Sequence, residues 1–433
     1  MKKLLSLIIL LSVFIIDTCA AQAAPPPAPN AEAYILIDSA TGDALCEKNP
    51  DKTLYPASTT KIMTAIVALE NGDLDKTMTA SQAAVNDIGP DGSNIGIIPG
   101  EKVKLENLLQ AMLIASANET ANIVAENLYD SRQEFIDMMN KKAGELGATG
   151  THFANTCGMH DPEHYTTASD MARFARYAMT LPEFRKIVST RTLQMPVTNK
   201  HPEWPPIANT NKLMLTDKND LYVINGVKTG FTGPAGYNLI SSARDGNGME
   251  LIAVVMGVKN DKAQDNVQIY SKELLDYGFN NFKQVNILEK GKVYRNVKVK
   301  DAPDPYGLDL ISSDGLTCVL PKDNGLKGIK EIPHINDNIS APVNKGDIMG
   351  YVEFLKGDVS IGKISLTASR AIEQVQKSET FTEKIKESLG NIYIKIALSI
   401  TGFLLFFLIL RKTLKYISRR ARRKRYSYRT KYR

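Results

Sequence analysis

Cysteine is scarce in this chain. Its 433 residues hold four, Cys19, Cys46, Cys157 and Cys318, with no Cys-x-x-Cys pair. Cys19 lies in a segment expected to be removed, and three scattered thiols make neither a disulfide framework nor a zinc pattern. A single bridge among them stays open. The five histidines are also scattered. Only His160 and His164 stand close together beside an acid, Asp161, and Pro162 breaks the helix that would put both imidazoles on one face. No metal or other cofactor is expected. An excess of one charge is missing as well. The formal net charge is +6, but residues 411–433 alone contribute twelve Lys/Arg and no acid. Residues 24–410 carry 39 basic against 46 acidic side chains. An acidic body with a basic tail does not argue for nucleic acid.

Long apolar runs are few, and two stand out. Leu4 to Ile16 follows Lys2-Lys3 and precedes Ala21-Gln22-Ala23. It is short for a membrane span and fits a secretory signal, residues 1–23, cleaved after Ala23. Ile392 to Leu410 has Lys395 as its only charge. A helix of that length rises about 28 Å, close to a bilayer core of about 30 Å. Lys395, near one end, can snorkel. The basic tail, 411–433, fits the positive-inside rule and contact with anionic lipid. The body is therefore expected outside and the tail in the cytoplasm.

Between these runs the texture changes twice. Residues 24–281 mix helical and strand patterns. Tyr34–Asp38 and Ala44–Glu47 read as a hairpin, and Ile62–Glu70 as a buried helix stopped by Asn71-Gly72. Leu105, Leu108, Leu109, Met112 and Leu113 recur at helical spacing. That helix breaks at Ser116-Ala117-Asn118, and a second runs on to Leu128. Tyr222–Ile224, Lys228–Thr232, Tyr237–Ala243 and Leu251–Val258 read as strands of a central antiparallel sheet. A helix over Lys262–Tyr277 closes the region. Residues 282–367 read as short strands forming a small all-β domain. Residues 368–391 read as a helical stalk before the span, 392–410.

Three short motifs carry chemistry. Ser58 and Lys61 stand one helical turn apart at the start of the buried helix, on one face. A hydroxyl is a weak nucleophile that needs a base, and a lysine amine serves as one when burial or a second cation lowers its pKa. A helix N-terminus beside Ser58 favours developing negative charge. Ser116 and Asn118 sit at a turn between packed helices, which can aim both side chains into a cleft. Lys228-Thr229-Gly230 on a strand offers a cation, a hydroxyl and an exposed backbone, and the glycine admits a ligand closely.

Taken in order, Ser58-x-x-Lys61, Ser116-x-Asn118 and Lys228-Thr229-Gly230 resemble the motif set of the penicillin-binding serine D-alanyl-D-alanine carboxypeptidases, the low-molecular-mass class. Three longer stretches are similar to that family too: Tyr55–Ala65, His160–Ala168 and Gly233–Leu239. The resemblance spans about residues 31–280. It implies an α+β, β-lactamase/transpeptidase-like domain, an antiparallel sheet with helices on both faces, followed by the all-β domain and a C-terminal transmembrane helix. It implies an enzyme of the bacterial cell membrane acting on peptidoglycan stem peptides that end in D-Ala-D-Ala, and acylated by β-lactams. By resemblance, Ser58 attacks the penultimate D-alanine carbonyl, Lys61 takes its proton, and Ser116 relays a proton to the leaving D-alanine. Asn118 holds Lys61 and the substrate amide, and Lys228 and Thr229 bind the terminal carboxylate. Gly230 admits the substrate, and the backbone N–H groups of Ser58 and Phe231 form the oxyanion hole.

Departures from the family pattern are Phe231, where many relatives carry His or Tyr, and Asn225, where Asp is frequent. The stretch Asn209–Leu213 also resembles the family without an assignable role. A class A β-lactamase would need a Glu-x-x-Leu-Asn stretch after Asn118, which is not found. A non-catalytic wall-binding scaffold would be signalled by a lost motif, and all three stand. A metallopeptidase would need a metal cluster.

Overall fold

The computed structural model describes residues 25–89, 92–216, 218–303, 307–323, 326–374 and 381–429. The expected signal segment and the last four residues of the tail lie outside them. The chain divides into two compact units. One is Met1–Tyr294 with Ile311–Ile335 and Gly350–Leu366, and the other is Arg295–Leu310 with Asn336–Met349 and Thr367–Arg433.

The first unit is built on a five-stranded antiparallel sheet of β1 (Ala33–Asp38), β2 (Ala44–Lys48), β3 (Tyr222–Thr232), β4 (Gly236–Asp245) and β5 (Glu250–Val258), in the order β2-β1-β5-β4-β3. Strands β1 and β5 are buried on both faces, which explains their unbroken apolar runs. Alternation then sorts their side chains into two cores. Ala33, Ile35 and Ile37 with Ile252, Val254 and Met256 face one way. Tyr34 and Leu36 with Leu251, Ala253 and Val255 face the other. Register places Ile35 opposite Val254 and Leu36 opposite Ala253, so the two sets stay in step across the pair.

The first core is closed by helices α1 (Lys61–Asn71), α2 (Leu105–Ile114), α3 (Asn118–Leu128), α4 (Arg132–Glu145), α5 (Ala168–Ala178) and α6 (Pro182–Val188). The second is closed by α7 (Ala263–Asn281), through Val267, Leu274, Leu275 and Phe279. An antiparallel sheet with helices on both faces is the architecture expected from the motifs. Helix α1 is buried along most of its length, from Lys61 to Ala68. It lies inside the core and carries its first residue with it, and this is how a lysine reaches the interior.

From Phe282 to Ala368 the described residues contain strands and turns without a helix. Phe282–Leu288 pairs antiparallel with Leu316–Pro321, and Ile329–Ile335 with the strand Ile348–Lys356. The helix expected to start at Ala368 starts later. Ala368 closes the strand Val359–Ala368, and α8 runs Phe381–Arg429. The alternation of Ile364, Leu366 and Ala368, all buried, outweighs the helical composition that follows. Residues Thr382–Arg422 hold a stretch long and apolar enough to cross a membrane.

Candidate active site

Ser58 sits in a single 3-10 turn, Ala57–Thr60, that runs straight into α1. Ala57 enters the left-handed region at φ +50°, a conformation costing of order 1–3 kcal/mol for a residue with a Cβ. The surroundings hold this turn from three directions. Asn238 on β4 donates through Nδ2 to the carbonyls of Tyr55 and Pro56, at 2.9 and 3.0 Å. Gly230 on β3 passes so close that a Cβ there would stand 2.9 Å from Pro56 O and 3.1 Å from Ser58 N. Gly158, at φ +88°, lies against the other side, where a Cβ would stand 1.8 Å from Ala57 O. The glycine of Lys-Thr-Gly is therefore needed for close approach of the Ser58 turn itself.

Lys61 points back at that turn. Its Nζ donates to Ser58 Oγ at 2.9 Å, to Asn118 Oδ1 at 2.7 Å and to the backbone carbonyl of Cys157 at 2.8 Å. Three acceptors use all three ammonium hydrogens. The side chain has no solvent exposure. Burial pushes its pKa down to about 8, although Cys157 and Glu119 oppose the shift. Asn118 is held in turn: its N–H donates to Ser93 O at 2.7 Å and its Nδ2 to Ile88 O at 3.1 Å. Ser116, two residues earlier, is left-handed at φ +65°, so the break between α2 and α3 is a strained turn.

Lys228 on β3 is 1 % exposed, and its Nζ donates to the carbonyl of Thr229 at 2.9 Å. Burial, and then the charge on Lys61, hold it well below the usual lysine range. The next residue faces the cleft, where Thr229 Oγ1 donates to Thr210 Oγ1 at 2.7 Å. The cleft has two lobes that meet at Ser58, Ser93 and Phe231. The first, of about 470 Å³, is lined by Ser116, Thr210, Thr229, Gly230 and Asn238 among others. The second, of about 380 Å³, has Ile88, Asn118, Met159 and His160 in its wall. Phe231 is half exposed and stacks on Tyr237 at 4.2 Å.

All eight residues singled out from the sequence thus gather around one cleft. The two lysines differ in manner, since Lys61 and Lys228 are both buried behind the wall and line neither lobe. The sequence reading missed several contributors. The Cys157 carbonyl is backbone and has no residue signature. Thr210 belongs to the stretch left without a role. Asn225 has a reason on β3: its Nδ2 donates to Glu250 Oε1 at 2.9 Å, where Arg185 also binds through two nitrogens. Glu119, one residue after Asn118, is buried and accepts from Ile95 N at 2.8 Å, which ties down the loop carrying Ser93. The cysteines Cys46, Cys157 and Cys318 are free thiols, all buried.

Comparison with known proteins agrees with this geometry. A family model described as D-alanyl-D-alanine carboxypeptidase matches residues 20–260, and one described as penicillin-binding protein 5, C-terminal domain, matches residues 282–374. D-alanyl-D-alanine carboxypeptidase DacF of Bacillus subtilis is 32% identical over 370 residues, covering 84% of this chain and 90% of that protein. DacA of Haemophilus influenzae is 33% identical over 336 residues, 76% of this chain and 82% of that protein. Among solved structures, penicillin-binding protein 5 of Haemophilus influenzae superposes with a TM-score of 0.68 at 30% identity, covering 81% of this chain and all of the other. A serine hydroxyl and a buried amine in hydrogen-bond contact, in a chain matched along both of its folded regions, place this protein in the D-alanyl-D-alanine carboxypeptidase family of serine peptidases.

Proposed function

We propose that the chain removes the terminal D-alanine from peptidoglycan stem peptides ending in D-Ala-D-Ala, through an acyl-enzyme on Ser58. The observation that carries the reading is the contact between Ser58 Oγ and a fully buried Lys61 Nζ at 2.9 Å. A lysine held near pKa 8 keeps a neutral minority at physiological pH far larger than an ordinary lysine would, and that neutral form accepts the Ser58 proton as Oγ attacks the penultimate carbonyl. The C–N bond to the last D-alanine breaks, and Ser116 passes a proton to the departing amine. Water then cleaves the Ser58 ester and restores the hydroxyl. Asn118 orients Lys61 and the substrate amide.

Thr229 receives the terminal carboxylate in the first lobe, and the arriving negative charge favours the protonated form of Lys228 behind the wall. Gly230 gives the substrate backbone room, and the N–H groups of Ser58 and Phe231 receive the oxyanion. β-Lactams acylate the same serine. We assign residues 24–281 to the peptidase and 282–367 to the accessory β domain. Residues 392–410 are assigned to a membrane span, with the body on the outer face and the basic tail among anionic lipids of the cytoplasmic leaflet.

The test is the intact mass of the purified full chain with benzylpenicillin over time, followed by D-alanine release from a peptide ending in D-Ala-D-Ala. A long-lived adduct of one equivalent, release of D-alanine, and loss of both in Ser58→Ala are expected. A folded wild type that forms no adduct and consumes no penicillin overturns the reading. Rapid turnover of penicillin would make the protein a β-lactamase instead.

A further inference from the structure

The stretch His160–Ala168 has no part in the acyl transfer described above, yet its second histidine is among the most tightly held side chains near the site. His164 is 1 % exposed. Its Nδ1 lies 3.0 Å from Ala154 N and 3.3 Å from Asn155 N. Amide nitrogens only donate, so Nδ1 carries a lone pair. Its Nε2 lies 2.7 Å from Thr60 Oγ1. Thr60 gives its single hydroxyl hydrogen to Ala57 O at 2.8 Å, so toward the ring it must accept. Nε2 therefore carries the hydrogen, and the partners select one neutral tautomer. Burial agrees, pushing the imidazole down to about 4.

The ring joins two elements, and each holds one half of the catalytic pair. Thr60 and Ala57 belong to the turn that presents Ser58, whose left-handed residue needs support from outside. Ala154 and Asn155 open the loop that ends on the Cys157 carbonyl, the acceptor for Lys61. Asn155 Oδ1 gathers the N–H groups of Cys157, Gly158 and Met159 at 3.3, 2.7 and 3.1 Å, so a shift at 155 is passed on to Cys157. The two elements also touch, through Gly158 and Ala57.

We propose that His164 is a positioning residue for acyl transfer: its neutral ring fastens the Ser58 turn to the loop that orients Lys61, and so sets the contact between nucleophile and base. It touches no reacting atom. The proposal rests on the reading of Ser58 and Lys61 given above.

His164→Phe keeps a ring of similar size and removes the hydrogen bonds at both nitrogens. Thr60→Val removes only the relay, and Thr60→Ser keeps it. The measurement is the rate constant of benzylpenicillin acylation per active molecule of the full chain, over a pH series spanning about 8, with thermal melting beside it. Misplacing reacting groups by an ångström costs about 100-fold. His164→Phe and Thr60→Val are expected to slow acylation by between about 10- and 100-fold. They are also expected to displace the acid limb of the pH profile, because Lys61 loses a fixed acceptor. The charged and titratable groups facing Lys61 are Cys157, Glu119 and Lys228, and those facing His164 are Asp161, His152, His160 and Lys61. None of them is altered by the substitutions. Thr60→Ser is expected to behave as wild type.

Wild-type rates with an unmoved limb in both variants would overturn the proposal. So would fewer folded molecules that each react normally, since the ring would then serve stability alone. Should His164→Phe fail to fold, Thr60→Val decides by itself. A wild type that is never acylated defeats the Ser58 reading, a different outcome from a wild type and variants that all label alike.

Discussion

Substituting Lys61 by Met keeps a chain of similar volume and removes the amine. Its effect on stability follows from linkage. The native amine gives up its proton near pH 8, against 10.5 for an ordinary lysine. Between these values the unfolded chain binds more protons than the native one, so wild-type stability rises with pH across that window. Below pH 8 both states are protonated, and the native state carries the whole cost of a buried ammonium. Two and a half units, at about 1.36 kcal/mol each, come to about 3 kcal/mol. Lys61→Met carries no such cost. Lys228, whose ammonium is also disfavoured by Lys61, adds in the same direction. The acceptors left at Asn118 and Cys157 penalise the variant equally at every pH and drop out of the slope. The stability of the variant relative to wild type should therefore fall by about 3 kcal/mol between pH 7 and pH 10.5. Urea unfolding of both proteins across that range reads it directly. In parallel, wild-type acylation by penicillin should rise about tenfold per pH unit below 8 and level off above it, and the variant should not react. Stability lines that stay parallel over the range would refute a depressed amine at Lys61, and an acylation rate with no inflection near 8 would refute its use as the base.

Two further substitutions test the frame of the site. Gly158→Ala places a Cβ 1.8 Å from Ala57 O and 2.3 Å from Ala57 C, at a φ of +88°. Backbone atoms cannot step aside, so the variant should lose about 2–4 kcal/mol in thermal or urea unfolding and acylate slowly even where folded; a near-normal rate would show that the turn and loop are not locked together. Asn225→Asp replaces a donor to Glu250 Oε1 with a second carboxylate. It should destabilise by about 1–3 kcal/mol at neutral pH. Acidification should relieve part of that as one carboxyl takes a proton, while acylation of folded molecules stays unchanged. A variant equally stable at both pH values would remove the charge argument.

Much of this was legible in the sequence because periodicity and spacing report faces. The i, i+3 spacing of Ser58 and Lys61 survives the change from a 3-10 turn to α1, since both geometries keep such a pair together. The apolar runs of β1 and β5 read as strands because both faces are buried. Other features leave no residue signature. The third acceptor of Lys61 is a carbonyl, which every residue possesses. His164 sits in a run of turn and cap residues, and nothing in Asp161-Pro162 or Thr166-Thr167 indicates that the ring folds back onto Thr60. Lys228 reads as a cation offered to a ligand from a strand, and its burial follows from what packs across β3. The stalk began late for a simpler reason: the last strand alternates over too few residues to be told from the charged helix behind it.

Buried charges in folded proteins are usually paired, because an unpaired one shifts its pKa and discharges. Lys61 and Lys228 follow the second course. Both are essentially unexposed, and their hydrogen bonds run to a hydroxyl, an amide oxygen and backbone carbonyls. Glu119, the acid that bears on Lys61, is itself pushed up by burial, and its Oε1 is bound to Ile95 N. A structural ion pair would place a carboxylate against each amine and lock both in the charged state. The arrangement here withholds that partner and leaves two lysines that release protons readily. The strained residues Ala57 and Ser116 flank the same few atoms. Strain and unpaired amines each lower stability, and a fold under no other demand would replace them with hydrophobic residues at no loss. Their concentration around one hydroxyl is what the proposed proton transfer from Ser58 requires.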